Sequence, residues 1–360
     1  MEFNENSELI KMDLIKKLVR KNILAMTAYA SARSEFTGVA EVFLDANENP
    51  FDNGLNRYPD PLQKQLKEKI AFEKQVNSKQ IFLGNGSDEA IDLLIRIFCE
   101  PGRDEIITLP PTYGMYKVSA ALSDINIVTI PLTTDFKINT KEVLKRIDNR
   151  SKMLFICSPN NPTGNDIPID QITQLLDNFT GILVVDEAYI DFSEQDSCTK
   201  LLTKYPRLVI LQTFSKAWGL AGIRLGMAFA HPEIIQLLNK VKPPYNINQL
   251  TQTAALKALD NINKKEANVQ SVLQQRAFLE QAFANLSFTK KVYPSNANFL
   301  LVQIDKTRTI YNYLLKNNII VRDRSTVTGC IGCLRFTVGT PAENKRLITA
   351  LKKFKTDSSI

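Results

Sequence analysis

Residues 208–226 have the sequence LVILQTFSKAWGLAGIRLG, and the interpretation of the whole chain starts from this stretch. It opens with the apolar run Leu208–Leu211, which predicts a buried strand. Lys216 comes just after the strand, where a lysine is costly unless it is paired or used covalently. Burial there would lower the pKa of its amine and make it a nucleophile. Arg224 adds a second cation, but a snorkelling lysine and a surface arginine pair would explain the stretch equally well.

Composition indicates a soluble globular protein with about two domains in its 360 residues. No apolar run approaches the ~20 residues of a membrane span, and the N-terminus lacks the layout of a signal peptide. The five cysteines are scattered, which favours a reduced cytoplasmic setting. The net charge of +7 is spread over segments that also carry acids, so we expect a solvated basic surface with no nucleic-acid or membrane partner.

The sequence contains a single histidine, His231, at a predicted helix start. A His-based catalytic triad or a His-rich metal site is therefore disfavoured, and no metal is expected. Cys330 and Cys333 form a C-x-x-C pair without a second pair, and two ordinary thiols are favoured over a zinc or redox site. The chemistry is expected to use Lys, Asp, Tyr, Arg or Cys.

Apolar strands alternate with helical segments through the first two thirds of the chain. Strands are predicted at 42–45, 80–83, 105–109, 125–132, 152–157, 181–185 and 208–211. Such alternation indicates an α/β fold, a mostly parallel sheet covered by helices on both faces. Helical spacing at 248–286 and strands at 298–304, 319–324 and 333–338 predict a small α+β domain. We divide the chain into an N-terminal helix and arm (1–40, the helix at 7–24), a large domain (41–250) and a small C-terminal domain (251–360).

Ligands of open α/β sheets bind beyond the carboxyl ends of the strands. The segment 84–89, GNGSDE, follows one such end and leads into a helix, so its free N–H groups could hold an anion. Ser87 or Asp88 acting as a plain helix N-cap is the alternative. The segment matches neither the G-x-G-x-x-G nor the Walker A pattern, which disfavours a dinucleotide or a nucleoside triphosphate.

Four further residues after strand ends suggest a planar, charged ligand. Asp186 follows an apolar run and needs a partner, either an arginine or a protonated ring nitrogen. Tyr189 and Asn161 could hydrogen-bond a ring oxygen, and Tyr113 could stack on a ring. With Lys216, these groups describe a site for pyridoxal 5′-phosphate (PLP), which proteins hold by a lysine Schiff base and an acidic partner at the pyridinium.

Three segments resemble the PLP-dependent aminotransferases of fold type I, and the similarity spans nearly the whole chain. They are 158–164 (SPNNPTG), 185–189 (VDEAY) and 215–224 (SKAWGLAGIR). Within that fold, the similarity is greatest to the histidinol-phosphate aminotransferase family. The segments of this chain that resemble that family are 47–50 (NENP), 57–59 (RYP), 86–89 (GSDE), 110–116 (PPTYGMY), 321–323 (VRD) and 332–339 (GCLRFTVG).

The resemblance implies a role for each matching residue. Lys216 would bind the cofactor and act as the base, Asp186 would pair with the pyridine nitrogen, and Tyr113 would stack on the ring. Asn161 and Tyr189 would hold the ring oxygen. The cofactor phosphate would be bound by Gly86, Ser87, Asp88, Ser215 and Arg224, with Tyr58 supplied by the second subunit of a homodimer. The substrate phosphate would be bound by Tyr29, Arg322 and Arg335, with Asn161 also at the substrate and Arg335 receiving the carboxylate of glutamate.

The implied reaction transfers an amino group between L-histidinol phosphate and 2-oxoglutarate in histidine biosynthesis. A threonine-phosphate decarboxylase, or an aminotransferase for aspartate or aromatic amino acids, would use nearly the same site. Two residues depart from the family pattern: Ala28 stands where proline is frequent, and Trp218 where phenylalanine is commoner. A PLP-binding transcription regulator is disfavoured, because the ~40 residues before Val42 are too few for a typical extra domain.

Overall fold

The computed structural model describes residues 11–29 and 41–354, and its largest element is a sheet of seven strands. The strands are β1 (Ile81–Asn85), β2 (Glu105–Thr108), β3 (Asn126–Thr129), β4 (Ser151–Cys157), β5 (Ile182–Asp186), β6 (Leu208–Thr213) and β7 (Leu225–Ala230). Their order is β1-β7-β6-β5-β4-β2-β3. Strand β7 is antiparallel to both neighbours, and the other pairs are parallel. The prediction of a mostly parallel sheet is confirmed.

The central strands are apolar along their whole length because both faces of the sheet are covered. In β6, Leu208 and Ile210 belong to the core on one face, whereas Val209 and Leu211 belong to the core on the other. A strand buried on both sides loses the alternation of apolar and polar residues. This is why the sequence shows continuous apolar runs at β4, β5 and β6.

Helices cover the sheet and build most of the rest of the molecule. They are α1 (Lys21–Ala25), α2 (Lys64–Lys74), α3 (Ser87–Phe98), α4 (Met115–Leu122), α5 (Thr140–Arg146), α6 (Ile169–Asn178), α7 (Pro232–Val241), α8 (Gln249–Leu259), α9 (Ile262–Ala284), α10 (Thr307–Lys316) and α11 (Pro341–Lys353). Short 3₁₀ turns lie at Ser78–Gln80, Ile190–Phe192, Cys198–Leu201 and Ala221–Ile223. No helix within the described ranges has both the length and the apolarity needed to cross a bilayer.

A second, antiparallel sheet of four strands lies in the C-terminal part of the chain. Its strands are β8 (Thr289–Val292), β9 (Phe299–Ile304), β10 (Arg322–Asp323) and β11 (Cys333–Thr337), in the order β10-β11-β9-β8. Leu300, Val302 and Phe336 pack on one face against apolar residues of α9 and α11. The small α+β unit is confirmed, and the exact division of the chain near residue 250 stays a prediction.

Several sequence predictions of local structure are wrong. Residues 42–45 are irregular and do not form a strand, and β7 and β8 were not predicted. Residues 226–230, GMAFA, are rich in small side chains, which weakens a strand signal. The strand predicted at 319–324 is reduced to the two residues of β10.

The described part of the N-terminal segment packs on its own chain. Within the predicted helix 7–24, residues 11–16 are helical and α1 forms a separate short helix. The buried apolar residues are Ile15, Val19 and Ile23, whereas Leu14 is exposed. The backbone N–H of Arg20 donates to the carbonyl of Ile97, 3.0 Å away, which explains the break between the helices. Residues 1–10 and 30–40 of the predicted arm lie outside the described residues.

Candidate active site

A cleft opens beyond the carboxyl ends of the parallel strands. It is lined by Gly86, Ser87, Asp88, Tyr113, Cys157, Asn161, Asp186, Ala188, Tyr189, Thr213, Ser215, Lys216, Ala221 and Arg224. Because parallel strands end at the same edge, residues far apart in sequence meet here. All the residues predicted to bind the cofactor, except Tyr58, are in this lining.

One end of the cleft has the geometry of an anion site. Gly86 is the N-cap of α3, has a φ of 73°, and no side chain caps the helix. The plain N-cap expected as an alternative for Ser87 or Asp88 is therefore not formed. The first N–H groups of α3 lack a side-chain acceptor, so this end of the helix favours a negative group.

Close backbone contacts hold Arg224 next to that helix end. The Gly86 N–H donates to the carbonyl of Arg224 at 2.7 Å, and Arg224 itself has a left-handed φ of 53°. A Cβ on Gly226 would lie 2.1 Å from the backbone nitrogen of Ser87, so only glycine permits this approach. The Arg224 guanidinium lies 3.8 Å from the Asp88 carboxylate, at the limit of an ion pair. The site therefore has a cation and free N–H groups side by side.

Asp186 lies at the buried end of β5 with only 3% of its surface exposed. The Tyr116 hydroxyl donates to Oδ2 at 2.7 Å, and the Ala188 N–H donates to Oδ1 at 3.1 Å. Within the described part of the chain, no lysine or arginine lies within ion-pair distance of this carboxylate, so the predicted arginine alternative is not found. Burial raises its pKa to about 6, and the Tyr116 hydrogen bond opposes the rise.

Tyr116 is a site residue that the sequence analysis did not single out. It is fully buried, stacks on Phe155 with ring centroids 4.7 Å apart, and lies edge-on to Tyr113. The available signal was its place in the segment 110–116, one of the segments that carry the family resemblance. The acidic partner of Tyr113 itself is Asp88, whose Oδ1 accepts from its hydroxyl at 3.0 Å.

Lys216 opens onto the cleft and is solvent-accessible, unlike the buried lysine that the sequence suggested. Thr213 and Phe214 before it are buried, and the Thr213 hydroxyl accepts from the Ser215 N–H at 3.1 Å to turn the chain outward. The amine lies 5.6 Å from the centre of the Tyr189 ring. Partial desolvation and the nearby charge of Arg335 lower the pKa of this amine. More of it is therefore neutral, and available as a nucleophile, near neutral pH.

Residues of the small sheet reach the cleft through Asn161. The Arg335 guanidinium donates to Oδ1 of Asn161, and the Asn161 amide donates to the Tyr189 hydroxyl at 3.4 Å. Arg335 also lies over the Phe299 ring, 5.1 Å from its centre. Arg322 pairs opposite Arg335 across β10 and β11. The predicted substrate-binding arginines are thus adjacent to each other, and Arg335 contacts the cleft wall.

The two remaining predicted residues, Tyr58 and Tyr29, do not line this cleft. Tyr58 stacks on Tyr245 with ring centroids 4.4 Å apart, in a different groove that also contains Glu48 and Leu250. Tyr29 has 73% of its surface exposed. The roles expected of these two residues therefore stay predictions.

Comparison with known proteins assigns the class of this protein. The sequence profile of the family described as aminotransferase class I and II matches residues 24–351. The fold agrees, because a solved structure of a histidinol-phosphate aminotransferase from Clostridium acetobutylicum superposes with a TM-score of 0.77 at 26% identity, covering 83% of this chain and 90% of that one. The chain belongs to the class I and II aminotransferases, which are PLP-dependent enzymes.

More similar sequences narrow the resemblance within that class. A histidinol-phosphate aminotransferase of Parabacteroides distasonis is 52% identical over 341 residues, 95% of this chain and 99% of the relative. The protein of the same description from Cytophaga hutchinsonii is 50% identical over 344 residues, 94% of this chain and 99% of the relative.

Proposed function

We propose that this chain binds PLP and transfers the amino group of L-histidinol phosphate to 2-oxoglutarate, giving imidazole acetol phosphate and glutamate. The relatives at about half identity are described as histidinol-phosphate aminotransferases. One observation carries the proposal: the same cleft contains a buried carboxylate, Asp186, that has no cationic partner among the described residues, and an accessible lysine of lowered pKa, Lys216. PLP has two groups on one ring that match these residues: its pyridinium nitrogen can pair with Asp186, and its aldehyde can react with Lys216.

The residues present fit the whole cofactor. The uncapped start of α3, the Ser215 hydroxyl and the Arg224 guanidinium would hold its phosphate, since helix N-termini and arginine both favour phosphate oxygens. Asn161 and Tyr189 would hold the ring oxygen. Tyr113, partly buried at the mouth of the cleft, would stack on the ring face. PLP supplies an electron sink that stabilises negative charge on the substrate carbon.

Two residues would control protons during the reaction. Asp186 would keep the ring nitrogen protonated, and a cation beside it would lower its pKa from about 6, which holds the carboxylate ionised. The amine of Lys216 would take and return the substrate proton as a general base, because its lowered pKa provides the neutral form. Tyr189 accepts a hydrogen bond from Asn161, and the centre of its ring lies 5.6 Å from the Lys216 amine.

Substrate recognition would depend on the arginines of the small sheet. Arg322 and Arg335 would bind the substrate phosphate, with Tyr29 contributing from the N-terminal segment, and Asn161 would lie against the bound substrate. Arg335 would also receive a glutamate carboxylate in the second half of the reaction. A guanidinium can form paired hydrogen bonds with either anion, so one site can serve both substrates.

A homodimer would complete the site. Exposed apolar residues crowd the segment that carries Tyr58: Leu44, Phe51 and Leu55 have 89%, 79% and 57% of their surfaces exposed. Such a patch is typical of a protein interface. Tyr58 would then contact the cofactor phosphate of the partner subunit. All five cysteines are buried free thiols, which favours the reducing cytoplasm as the location.

The test is a half-reaction screen of the purified, PLP-loaded enzyme. Histidinol phosphate, histidinol, phosphothreonine, aspartate and phenylalanine are added separately, and loss of the cofactor's absorbance is followed. We expect histidinol phosphate to react with a kcat/KM at least ~100-fold above histidinol, because only the former carries a negatively charged phosphate for the arginines. Lys216→Ala should bind PLP without reacting, whereas Lys200→Ala, an exposed lysine, should react normally. Carbon dioxide release from phosphothreonine, or a preference for aspartate or phenylalanine, would overturn the proposal.

A further inference from the structure

Three arginines, two of which were expected, lie on one face of the small sheet. Arg322 pairs with Arg335, and Asp323 with Leu334. The N–H of Arg324 continues this pairing by donating to the carbonyl of Cys333 at 3.0 Å. Because side chains alternate between the faces of a strand, Arg322, Arg324 and Arg335 share a face.

That face is turned toward the large sheet and the cleft. Leu301, opposite Arg335, and Cys333, opposite Arg324, pack with Phe136 of the large unit. The other face carries Leu300 and Phe336, which contact the helices of the small unit. The three arginines are therefore on the side of the small sheet that meets the active site.

The three positive charges are not neutralised by the protein. Within residues 11–29 and 41–354, none of the three lies within 4 Å of an acidic group, and the Nε atoms of Arg324 and Arg335 are buried without a hydrogen-bond partner. The neighbouring acid, Asp323, points to the opposite face and pairs with Arg308 at 3.4 Å. Arg322 is exposed, and Arg324 and Arg335 are half-buried. A bound anion would supply the negative charge that the described residues do not give this cluster.

Electrostatic effects connect Arg324 with the cleft wall. The charges of Arg335 and Arg324 both act to lower the pKa of the Tyr189 hydroxyl, against the larger effect of burial, which raises it. Burial and the charges of Arg335 and Arg322 lower the pKa of Arg324 in turn. These effects agree with the strand register, which puts Arg324 on the same face of the small sheet as Arg335, whose guanidinium contacts the cleft wall.

We propose that Arg324 is a third anion-binding residue of the substrate site and that it selects a doubly charged phosphate over a singly charged carboxylate. The inference rests on the proposed function, in which both anions use this site. A phosphate monoester carries ~1.5 to 2 negative charges and three acceptor oxygens at pH 7, enough for several guanidinium groups. A carboxylate offers one charge and two oxygens, which Arg335 alone can engage in a paired contact.

The test compares Arg324→Gln with a matched control, Arg308→Gln. Arg308→Gln removes the same charge from a nearby position. The Arg308 side chain, however, is 74% exposed and lies against Asp323 on the opposite face of the small sheet. We expect Arg324→Gln to raise the KM for histidinol phosphate ~10- to 100-fold, the loss typical of a charged hydrogen bond. The kcat, and the KM for glutamate, should change less than ~3-fold, and Arg324→Lys should recover part of the loss, since the interaction is mainly one of charge. Arg308→Gln should match the wild type.

Inorganic phosphate separates this inference from the proposed function. As an inhibitor of the glutamate half-reaction it should bind ~10-fold more weakly to Arg324→Gln, whether or not histidinol phosphate is the substrate. A wild-type enzyme that ignores histidinol phosphate would refute the proposed function alone. Equal weakening of phosphate and carboxylate binding, an unchanged inhibition by phosphate, or the same loss in Arg308→Gln would each overturn the role of Arg324. A thermal melt establishes that the variants are folded.

Discussion

At the scale of single residues, the site depends on the buried carboxylate of Asp186 and on the Tyr116 hydroxyl that donates a hydrogen bond to it. Asp186 accepts from Tyr116, and both groups are buried among the side chains of the sheet and α4. A buried carboxylate has a raised pKa because water no longer stabilises its charge. The hydrogen bond partly offsets this effect and keeps the group ionisable near neutral pH.

Replacing Tyr116 with phenylalanine tests this balance. Tyr116→Phe should raise the pKa of Asp186 above about 6, since a hydrogen bond to the charged form is lost. PLP affinity should fall ~5- to 20-fold at pH 7, consistent with one lost hydrogen bond to a charged group. Because binding needs the carboxylate, affinity decreases as the pH falls through the pKa of Asp186, and this midpoint should move upward in the variant.

The measurement is PLP affinity as a function of pH by absorbance titration. Tyr313→Phe is the control, because that hydroxyl donates to the Ala350 carbonyl at 3.1 Å in the small unit. It should leave the midpoint in place. A midpoint that does not move in Tyr116→Phe would contradict the assignment of Tyr116 as the group that adjusts Asp186.

At the scale of elements, the antiparallel strand β7 brings the cation to the anion site. It lies between β1 and β6, with Gly226 opposite both Gly84 and Thr213. Its first residues therefore cross the start of α3, which follows β1. The absence of a side chain at Gly226 allows this crossing, and the contact is backbone against backbone.

Gly226→Ala should disrupt this contact. The new Cβ would lie 2.1 Å from the Ser87 nitrogen, so β7 or the start of α3 must shift. We expect the free energy of unfolding of the apoenzyme to fall by about 1–3 kcal/mol, as for overpacked cores. PLP affinity should fall at least ~10-fold, since Arg224 and the helix N–H groups would no longer converge.

Gly222, four residues before Gly226 in the chain, provides a matched control. A Cβ there meets nothing within 4 Å, and its backbone is not left-handed. Gly222→Ala should change stability by less than ~0.5 kcal/mol, which is usual for surface positions. The measurement is the free energy of unfolding of both variants by denaturant titration. Equal values for the two would show that the contact between β7 and the start of α3 is not tight in solution.

At the scale of the whole molecule, the proposed homodimer would share each active site between two copies of the chain. Tyr58 is outside its own cleft and is held by stacking on Tyr245, with a groove and exposed apolar residues around it. Two inactive variants should therefore complement each other. In a mixed dimer of Tyr58→Ala and Lys216→Ala, one site has both an intact Lys216 and the partner's intact Tyr58.

We expect mixing of the two variants, after unfolding and refolding together, to restore up to about a quarter of wild-type activity, the share of intact sites in a random C2 dimer population. The control mixes wild type with the Tyr58→Ala/Lys216→Ala double variant, in which no mixed dimer has a complete site. Steady-state transamination at limiting PLP is the readout. Failure of the first mixture to exceed the sum of its parts, with dimers present, would place Tyr58 outside the partner's site.

Local pattern alone determined the parallel strands and the location of most cleft residues. Strands buried on both faces have continuous apolar sequences, and the ends of parallel strands share one edge. Asp186, Asn161 and Lys216 could therefore be placed at one cleft before any contact was known. The glycine spacing near residue 86 likewise indicated an anion site without a dinucleotide.

Contacts between distant residues were decided only by the tertiary structure. Tyr116 meets Asp186 across 70 positions and Arg335 meets Asn161 across 174, and no local spacing encodes either pair. The buried face of the N-terminal segment and the place of β7 also depend on what packs against them, because short apolar stretches fit several registers. Sequence periodicity specifies which edge of the sheet collects the polar groups. Burial and long-range packing then decide which of those groups pair and what charge each one keeps.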